Sequence, residues 1–171
     1  MDEILHHSIP PVYDKDSLIL ILGTFPSPKS REQGFYYGHP QNRFWRVLST
    51  ALAVDFPETL SERKQLLLEK HIAMWDVLSS CSIFGAADTS IRNALPNPVE
   101  ALIEKTKIHT VFTTGSKAFQ LYQKLIFPNT KIPAIQLPST SPANCRVPFI
   151  DLVQSYQSID NALKEVSIYG K

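Results

Sequence analysis

Five consecutive apolar residues, 18–22, form the most hydrophobic segment of this chain, and the segment ends at Gly23. A short apolar run without polar alternation is typical of a strand buried on both faces, as in a parallel sheet covered by helices. The polar and aromatic stretch GTFPSPKSREQGFYYGHPQN follows immediately. Because parallel sheets bind ligands at the carboxyl ends of their strands, we expect the chemistry of this protein to lie there.

Further strands and helices alternate along the rest of the chain. Apolar runs predict strands at residues 71–80, 108–115 and 134–140. Helical spacing of apolar residues, together with start signals, predicts helices after Pro40, Thr59, Asn97, Gly115 and Pro148. Strands that alternate with helices indicate an α/β fold whose parallel sheet is covered on both faces. Polar segments at 23–27, 79–82, 114–115 and 137–144 should then meet at one edge of that sheet.

The size and composition favour one globular domain. The chain has 171 residues, of which 43% are hydrophobic, enough to bury a core. We therefore predict a single domain over residues 1–171, with residues 1–16 loosely structured. A net charge of +1 neither requires nor excludes nucleic acid. No apolar run approaches the ~20 residues that span a bilayer, and no signal peptide is expected.

Metal and cofactor signals are weak. Cys81 and Cys145 are too few for a disulfide framework or a thiolate cluster, so we expect a reduced, cytoplasmic protein. The adjacent pair His6 and His7 falls in the segment predicted to be loose. Dinucleotide, P-loop and nucleophile-elbow motifs do not occur. We predict neither a metal nor a cofactor.

The predicted sheet edge is rich in aromatic rings, hydroxyls and amides. Phe25 and Tyr37 offer flat surfaces, and Asn42 is predicted in the first turn of a helix, near the positive end of its dipole. The PSTSPAN segment supplies hydroxyls and backbone N–H groups that suit phosphate oxygens. Aromatic rings beside small polar loops and scattered arginines are what a pocket for an extruded base requires.

Four motifs in one order carry a family resemblance. GTFPSPKSREQGFYYGHPQNRFW, WDVLSSC, VFTTG and LPSTSPAN together resemble the uracil-DNA glycosylase superfamily, and most of all its hypoxanthine-DNA (deoxyinosine) glycosylase branch. The resemblance implies a three-layer α/β/α sandwich with a short, mainly parallel four-stranded central sheet. It also implies a monofunctional enzyme of base excision repair that hydrolyses the N-glycosidic bond of a flipped hypoxanthine or uracil. The implied partner is DNA with deaminated bases, bound by a monomer without metal, cofactor or membrane.

The resemblance also implies residue roles. Asn42 would be the catalytic amide, whose carbonyl oxygen orients the attacking water, and His39 beside it could donate to the leaving base. The implied base-binding residues are Gly23, Thr24, Phe25, Pro26, Ser27, Tyr37 and Thr114. The implied DNA-binding residues are Ser139, Thr140, Ser141, Pro142, Asn144 and Arg146. Related sequences often carry Asn where this chain has Thr114, so its base preference could differ.

Plainer interpretations remain open at several positions. Asn42 could only start a helix, and His39 could only bond the loop backbone. Asp88 fits a helix N-cap with Thr89 and Ser90, and Asp76 fits a structural role. Two other functions also stay open: a DNA- or nucleotide-binding domain without glycosylase activity, and a small-molecule hydrolase with a Ser or Cys nucleophile.

Overall fold

The computed structural model describes residues 3–83 and 91–169. The strands are β1 Ile4–His6, β2 Ile19–Gly23, β3 Ile72–Asp76, β4 Leu78–Ile83, β5 Ile91–Pro96, β6 Thr110–Thr114 and β7 Ala134–Leu137. The helices are α1 Pro28–Gln33, α2 Phe44–Ala51, α3 Leu60–Glu69, α4 Val99–Glu104, α5 Ser116–Leu125, α6 Phe127–Thr130 and α7 Phe149–Tyr169. A short 3₁₀ helix spans Pro142–Asn144.

A four-stranded parallel sheet lies at the centre, in the order β3-β2-β6-β7. Strand β2 is buried on both faces, because its alternate side chains enter two different cores. Ile19 and Ile21 pack in the core that contains α2 and α7, whereas Leu20 and Leu22 pack in the core that contains α4 and α5. The predicted three-layer α/β/α fold with a four-stranded parallel sheet is therefore confirmed.

A second sheet was not predicted. It has three antiparallel strands in the order β1-β4-β5. The single strand predicted at residues 71–80 is divided between the two sheets, because the chain turns at Val77, whose N–H donates to the Gly23 carbonyl at 2.8 Å. Asp76 is the one polar residue before the turn, and apolar residues resume at Val77 and Leu78, so the pattern predicted one strand. Asp88 lies outside the described residues, and β5 rather than a helix follows it.

The prediction that residues 1–16 are loosely structured is wrong for residues 4–12. Strand β1 pairs with β4, and Val12 forms a bridge with Met74 on the outer edge of β3. Ile9 and Val12 are only 2% and 4% exposed. The segment occupies edges that would otherwise present unpaired backbone groups, and it brings its side chains to the carboxyl end of β3.

The segment after β2 contains one helix more than predicted. Helix α1 begins after Ser27, whose hydroxyl caps it by accepting from the Ser30 N–H, and it ends at Gly34 in the left-handed conformation at φ 74°. Helix α2 begins at Phe44, four residues after Pro40, so Asn42 precedes the helix instead of lying in its first turn. None of the described helices is both long and apolar enough to cross a membrane.

Candidate active site

Three side-chain oxygens converge on the carboxyl end of β2. A Cβ atom built on Gly23 would lie 2.5 Å from Asp76 Oδ1, 3.2 Å from the Tyr37 hydroxyl and 3.6 Å from Thr114 Oγ1. We call Gly23, Tyr37, Asp76 and Thr114 the strand-end cluster. The absence of a side chain at Gly23 leaves room for these oxygens, so even a methyl group there would displace the Asp76 carboxylate.

Tyr37 enters this cluster with a strained backbone. Its φ is 53°, a left-handed value that costs a bulky residue on the order of 1–3 kcal/mol. The ring stacks on Phe44 with centroids 3.9 Å apart, and the hydroxyl lies 3.0 Å from Thr114 Oγ1. Burial, reinforced by the negative charge of Asp76, raises the pKa of Tyr37 well above its ordinary value. The hydroxyl therefore stays neutral and can donate a hydrogen bond.

Asp76 pairs with a histidine from the N-terminal segment. His7 Nε2 lies 2.8 Å from Asp76 Oδ2, and their side chains are 3% and 6% exposed. Sequence reasoning treated Asp76 as structural and found no role for His7. The position of Asp76 at the end of an apolar strand was a usable signal. No local pattern connects two residues that are 69 positions apart.

Asn42 links the two motif-bearing loops. Its Oδ1 accepts hydrogen bonds from the Phe44 backbone N–H at 2.9 Å and from the Thr140 hydroxyl at 2.8 Å. A backbone N–H can only donate, so these contacts fix the amide with its oxygen turned toward the protein. The carbonyl oxygen expected to orient water thus already has two protein donors. Among the hydrogen bonds of the described residues, none uses Asn42 Nδ2.

Arg43 holds the second loop against the first. Its guanidinium group donates to the carbonyl oxygens of Val147 at 2.8 Å and Asn144 at 3.2 Å. Its backbone N–H donates to the Thr140 carbonyl at 3.2 Å. Sequence reasoning counted Arg43 only among scattered basic residues. The structure gives it a positioning function next to Asn42.

Several of the predicted DNA-binding side chains shape their own loop. Ser139 Oγ accepts from the Ser141 N–H at 3.1 Å, and Ser141 Oγ accepts from the Ala143 N–H at 3.2 Å. Asn144 Nδ2 donates to the Ser139 carbonyl at 2.8 Å. Pro142 opens the 3₁₀ helix. These bonds define the shape of the loop that the sequence assigned to DNA.

The remaining predicted residues lie in the loops around two groups, the strand-end cluster and the Asn42–Thr140 contact. His39 Nδ1 lies 3.1 Å from the Gln41 N–H and accepts from it, which leaves the proton of a neutral ring on Nε2. Phe25 is half-buried, with its ring 5.9 Å from that of His7 in an edge-on arrangement. Thr24 and Pro26 are buried, whereas Ser27 caps α1. Arg146 is exposed and is not joined to either group through contacts of the described residues.

A cavity of about 180 Å³ adjoins Asn42. Its wall includes Tyr37, His39, Asn42, Arg46, Phe56 and Arg63. The Arg46 and Arg63 guanidinium groups lie 6.0 and 5.8 Å from the centre of the Phe56 ring. Burial lowers the pKa of Arg63. A second cavity of about 480 Å³ lies among residues 96–104 and 125–129 and contains none of the predicted site residues.

Metal-ligand geometry is not found in the described parts of the chain. Within residues 3–83 and 91–169, no three His, Cys, Asp or Glu side chains are close enough to hold one ion. The polar side chains at the sheet edge carry hydroxyl, amide and carboxylate groups, and they belong to different strands and loops.

These features define a three-layer α/β protein whose candidate site lies at the carboxyl edge of a parallel sheet. Two loops, joined by Asn42 and Thr140, complete that site. Comparison with known proteins identifies the family. The profile of the uracil DNA glycosylase superfamily matches residues 10–166 of this chain. The chain belongs to this superfamily.

Individual relatives agree with this assignment. The chain is 33% identical over 148 residues to a hypoxanthine DNA glycosylase of Methanosarcina acetivorans, covering 84% of this chain and 90% of the relative. It is also 33% identical over 111 residues to a hypoxanthine DNA glycosylase of Methanosarcina barkeri, covering 64% and 70%. A candidate uracil DNA glycosylase from M. acetivorans, solved by solution NMR, superposes with a TM-score of 0.76 at 29% identity, over 92% of this chain and 99% of that one.

Proposed function

We propose that this protein is a monofunctional DNA glycosylase that removes a deaminated base, hypoxanthine or uracil, from DNA. Two relatives named hypoxanthine DNA glycosylase and the superfamily membership support this activity. The structural observation that carries the proposal is the position of Asn42, which a backbone N–H and the Thr140 hydroxyl hold between the two motif loops. In this proposal a monomer acts on cellular DNA.

The reaction breaks the bond between C1′ of the deoxyribose and a ring nitrogen of the base. The electron pair of that bond leaves with the base, and positive charge develops on the sugar. A water oxygen then bonds to C1′, and its proton ends on the base. Because an oxocarbenium-like centre is attacked easily, the enzyme must hold a water in place more than it must deprotonate it.

Asn42 is proposed to hold that water. Its fixed orientation presents the Nδ2 hydrogens, because Oδ1 is occupied by Phe44 and Thr140. A water that accepts from Nδ2 keeps a second lone pair with which to attack C1′. This assignment keeps the predicted role of Asn42 and changes the atom that performs it.

Other predicted residues are proposed to bind the substrate. His39 would donate from Nε2 to the departing base, since its Nδ1 accepts from the backbone. Phe25 and the strand-end cluster would contact the base, together with the backbone of residues 24–27. The loop from Ser139 to Asn144, with Arg146, would contact the DNA backbone.

The two other candidate functions have less support. A serine hydrolase needs a base within hydrogen-bond reach of its nucleophile, and in the described chain no serine hydroxyl bonds to a histidine ring. A DNA-binding domain without activity would not need the amide of Asn42 held in one orientation by two donors.

Alkali-revealed strand cleavage tests the proposal. Labelled duplexes carrying one hypoxanthine, one uracil or only normal bases are incubated with the wild type, Asn42→Ala and Gln41→Ala. Gln41 is the exposed neighbour of Asn42 in the same loop and serves as the matched control. We expect Asn42→Ala to slow excision ~10²–10³-fold and Gln41→Ala to behave as the wild type. Folded wild-type protein that cleaves no duplex and no single strand would refute the assignment.

A further inference from the structure

We propose that Asp76 distinguishes a deaminated base from its parent base, and that His7 is the positioning residue that aims the Asp76 carboxylate. The inference rests on the proposed glycosylase function and adds to it the feature of the base that is recognised.

Asp76 has one occupied and one available oxygen. Oδ2 is 2.8 Å from His7 Nε2, and a carboxylate oxygen can only accept, so Nε2 carries the hydrogen. Oδ1 points to the carboxyl end of β2, over the unsubstituted face of Gly23. Among the described residues no donor bonds to Oδ1. No Lys or Arg lies within ion-pairing distance of Asp76 in that part of the chain. Asp76 is only 4% exposed, and its Oδ1 has no protein donor in the described chain, so this oxygen gains a hydrogen bond when a ligand brings a donor.

Deamination creates the required donor. Adenine presents a bare ring nitrogen at N1, whereas hypoxanthine presents an N–H there; cytosine and uracil differ in the same way at N3. An acceptor-only carboxylate can bond the N–H of hypoxanthine or uracil and faces a lone pair in adenine or cytosine. Guanine and thymine also carry a ring N–H, so Asp76 separates each deaminated base from its parent only. Sites that bond a polar group of the substrate can reject an analogue without it by as much as about 10⁴–10⁵-fold.

His7 is held where it can aim the carboxylate. Its ring meets Phe25 and Trp75 edge-on, with centroids 5.9 and 6.5 Å away. Its backbone N–H donates to the Ser79 carbonyl at 2.7 Å, which ties it to the first residues of β4. The N-terminal segment is thus part of the base pocket, although it lies far from the motifs in sequence.

Asp76→Asn is the first test. His7 would donate to the new amide oxygen, which would turn Nδ2, a donor, toward the base. We expect hypoxanthine excision to fall at least ~10²-fold. The binding preference for duplexes with 2′-fluoro-deoxyinosine over 2′-fluoro-deoxyadenosine, which resist hydrolysis, should fall at least tenfold. Asp14→Asn makes the same change next to the amino end of β2 and should alter neither quantity.

Variants of His7 distinguish a role in orienting the Asp76 carboxylate from a role in stabilising the fold. His7→Gln keeps a donor near the Nε2 position, whereas His7→Phe removes it. We expect His7→Phe to reduce the hypoxanthine-over-adenine binding preference and His7→Gln to restore most of it. His6→Phe, at the exposed neighbouring position, should leave the preference unchanged. A preference that follows thermal stability through the three variants instead of following the donor would overturn the role of His7.

A wild-type measurement decides the matter if the Asp76 variant does not fold. A duplex with N1-methylhypoxanthine lacks the N–H, and we expect its excision to be lost. Excision at the hypoxanthine rate would overturn the inference, as would an unchanged binding preference in folded Asp76→Asn. Both results leave the glycosylase assignment intact, because that assignment fails only if the wild type does not excise hypoxanthine or uracil.

Discussion

Thr140→Val removes the hydroxyl that donates to Asn42 Oδ1, together with its hydrogen-bond contact with the Tyr156 hydroxyl. The substitution replaces a hydroxyl by a methyl group at a residue that is 2% exposed, and it leaves the Phe44 N–H as the one remaining donor to Asn42 Oδ1. Because the amide then loses half of its restraint, Nδ2 spends less time in the orientation that holds water. We expect a slower chemical step, with substrate binding little changed.

The size of the effect on the chemical step follows from the hydrogen bond between Thr140 and Asn42. A neutral bond of this kind contributes ~1 kcal/mol, and ~1.4 kcal/mol corresponds to a factor of ten in rate. Thr140→Val should therefore slow single-turnover excision roughly fivefold, well short of the loss expected for Asn42→Ala. Thr140→Ser retains the hydroxyl and should stay close to the wild type.

Single-turnover excision of hypoxanthine at saturating enzyme is the assay. Thr113→Val is the matched control, because it makes the same substitution in β6 at a buried hydroxyl without a partner among the described residues. A Thr140→Val rate equal to or above that of the wild type would refute the reasoning. It would mean that water reaches Asn42 Oδ1 once the Thr140 donor is gone, as the sequence alone had suggested.

Three further predictions concern stability and DNA affinity. Thr113→Val should raise the free energy of unfolding in urea by ~1 kcal/mol, since it removes an unsatisfied buried hydroxyl; a decrease would show that the hydroxyl has a partner. Burial raises the pKa of Tyr36 above its ordinary value of 10.0, so its contribution to stability is complete below pH 10 and is lost as the pH rises further. Above pH 10 the free energy of unfolding should therefore fall by ~1.4 kcal/mol per pH unit because of Tyr36. Tyr36→Phe should flatten that slope in urea melts, and an unchanged slope would contradict the reasoning. Arg146→Gln should reduce the salt dependence of DNA binding by about one phosphate contact, because exposed Arg146 is proposed to contact the DNA backbone. Lys64→Gln, at an exposed position on α3, should leave the salt dependence unchanged.

The parallel sheet could be predicted because its signals are local. The apolar run of β2 and the start signals of α3, α4 and α5 each fall within a few residues. At the predicted start of α3 the Thr59 hydroxyl accepts from the Glu62 N–H. The antiparallel sheet could not be predicted in the same way. Its formation depends on a turn at Val77 that a single polar residue, Asp76, precedes, and on pairing between β1 and β4, which are far apart in sequence.

The same difference between local signals and long-range contacts applies to the candidate site. The motif residues Tyr37 and Thr114 do meet at the end of β2, and Asn42 does meet Thr140. The orientation of the Asn42 amide could not be read from the sequence, because it depends on which donors reach it in three dimensions. The pair of His7 and Asp76 was missed for the same reason.

The segment from Tyr37 to Asn42 connects the two parts of the site. At one end the Tyr37 hydroxyl bonds to Thr114 on β6, and at the other Asn42 bonds to Thr140 in the second motif loop. The left-handed backbone at Tyr37 is tolerated because stacking on Phe44 and the Thr114 bond hold it. A displacement of either anchor therefore shifts both the group proposed to hold water and the surface proposed to contact the base. This coupling explains why one short segment carries so much aromatic and amide chemistry directly after the most buried strand.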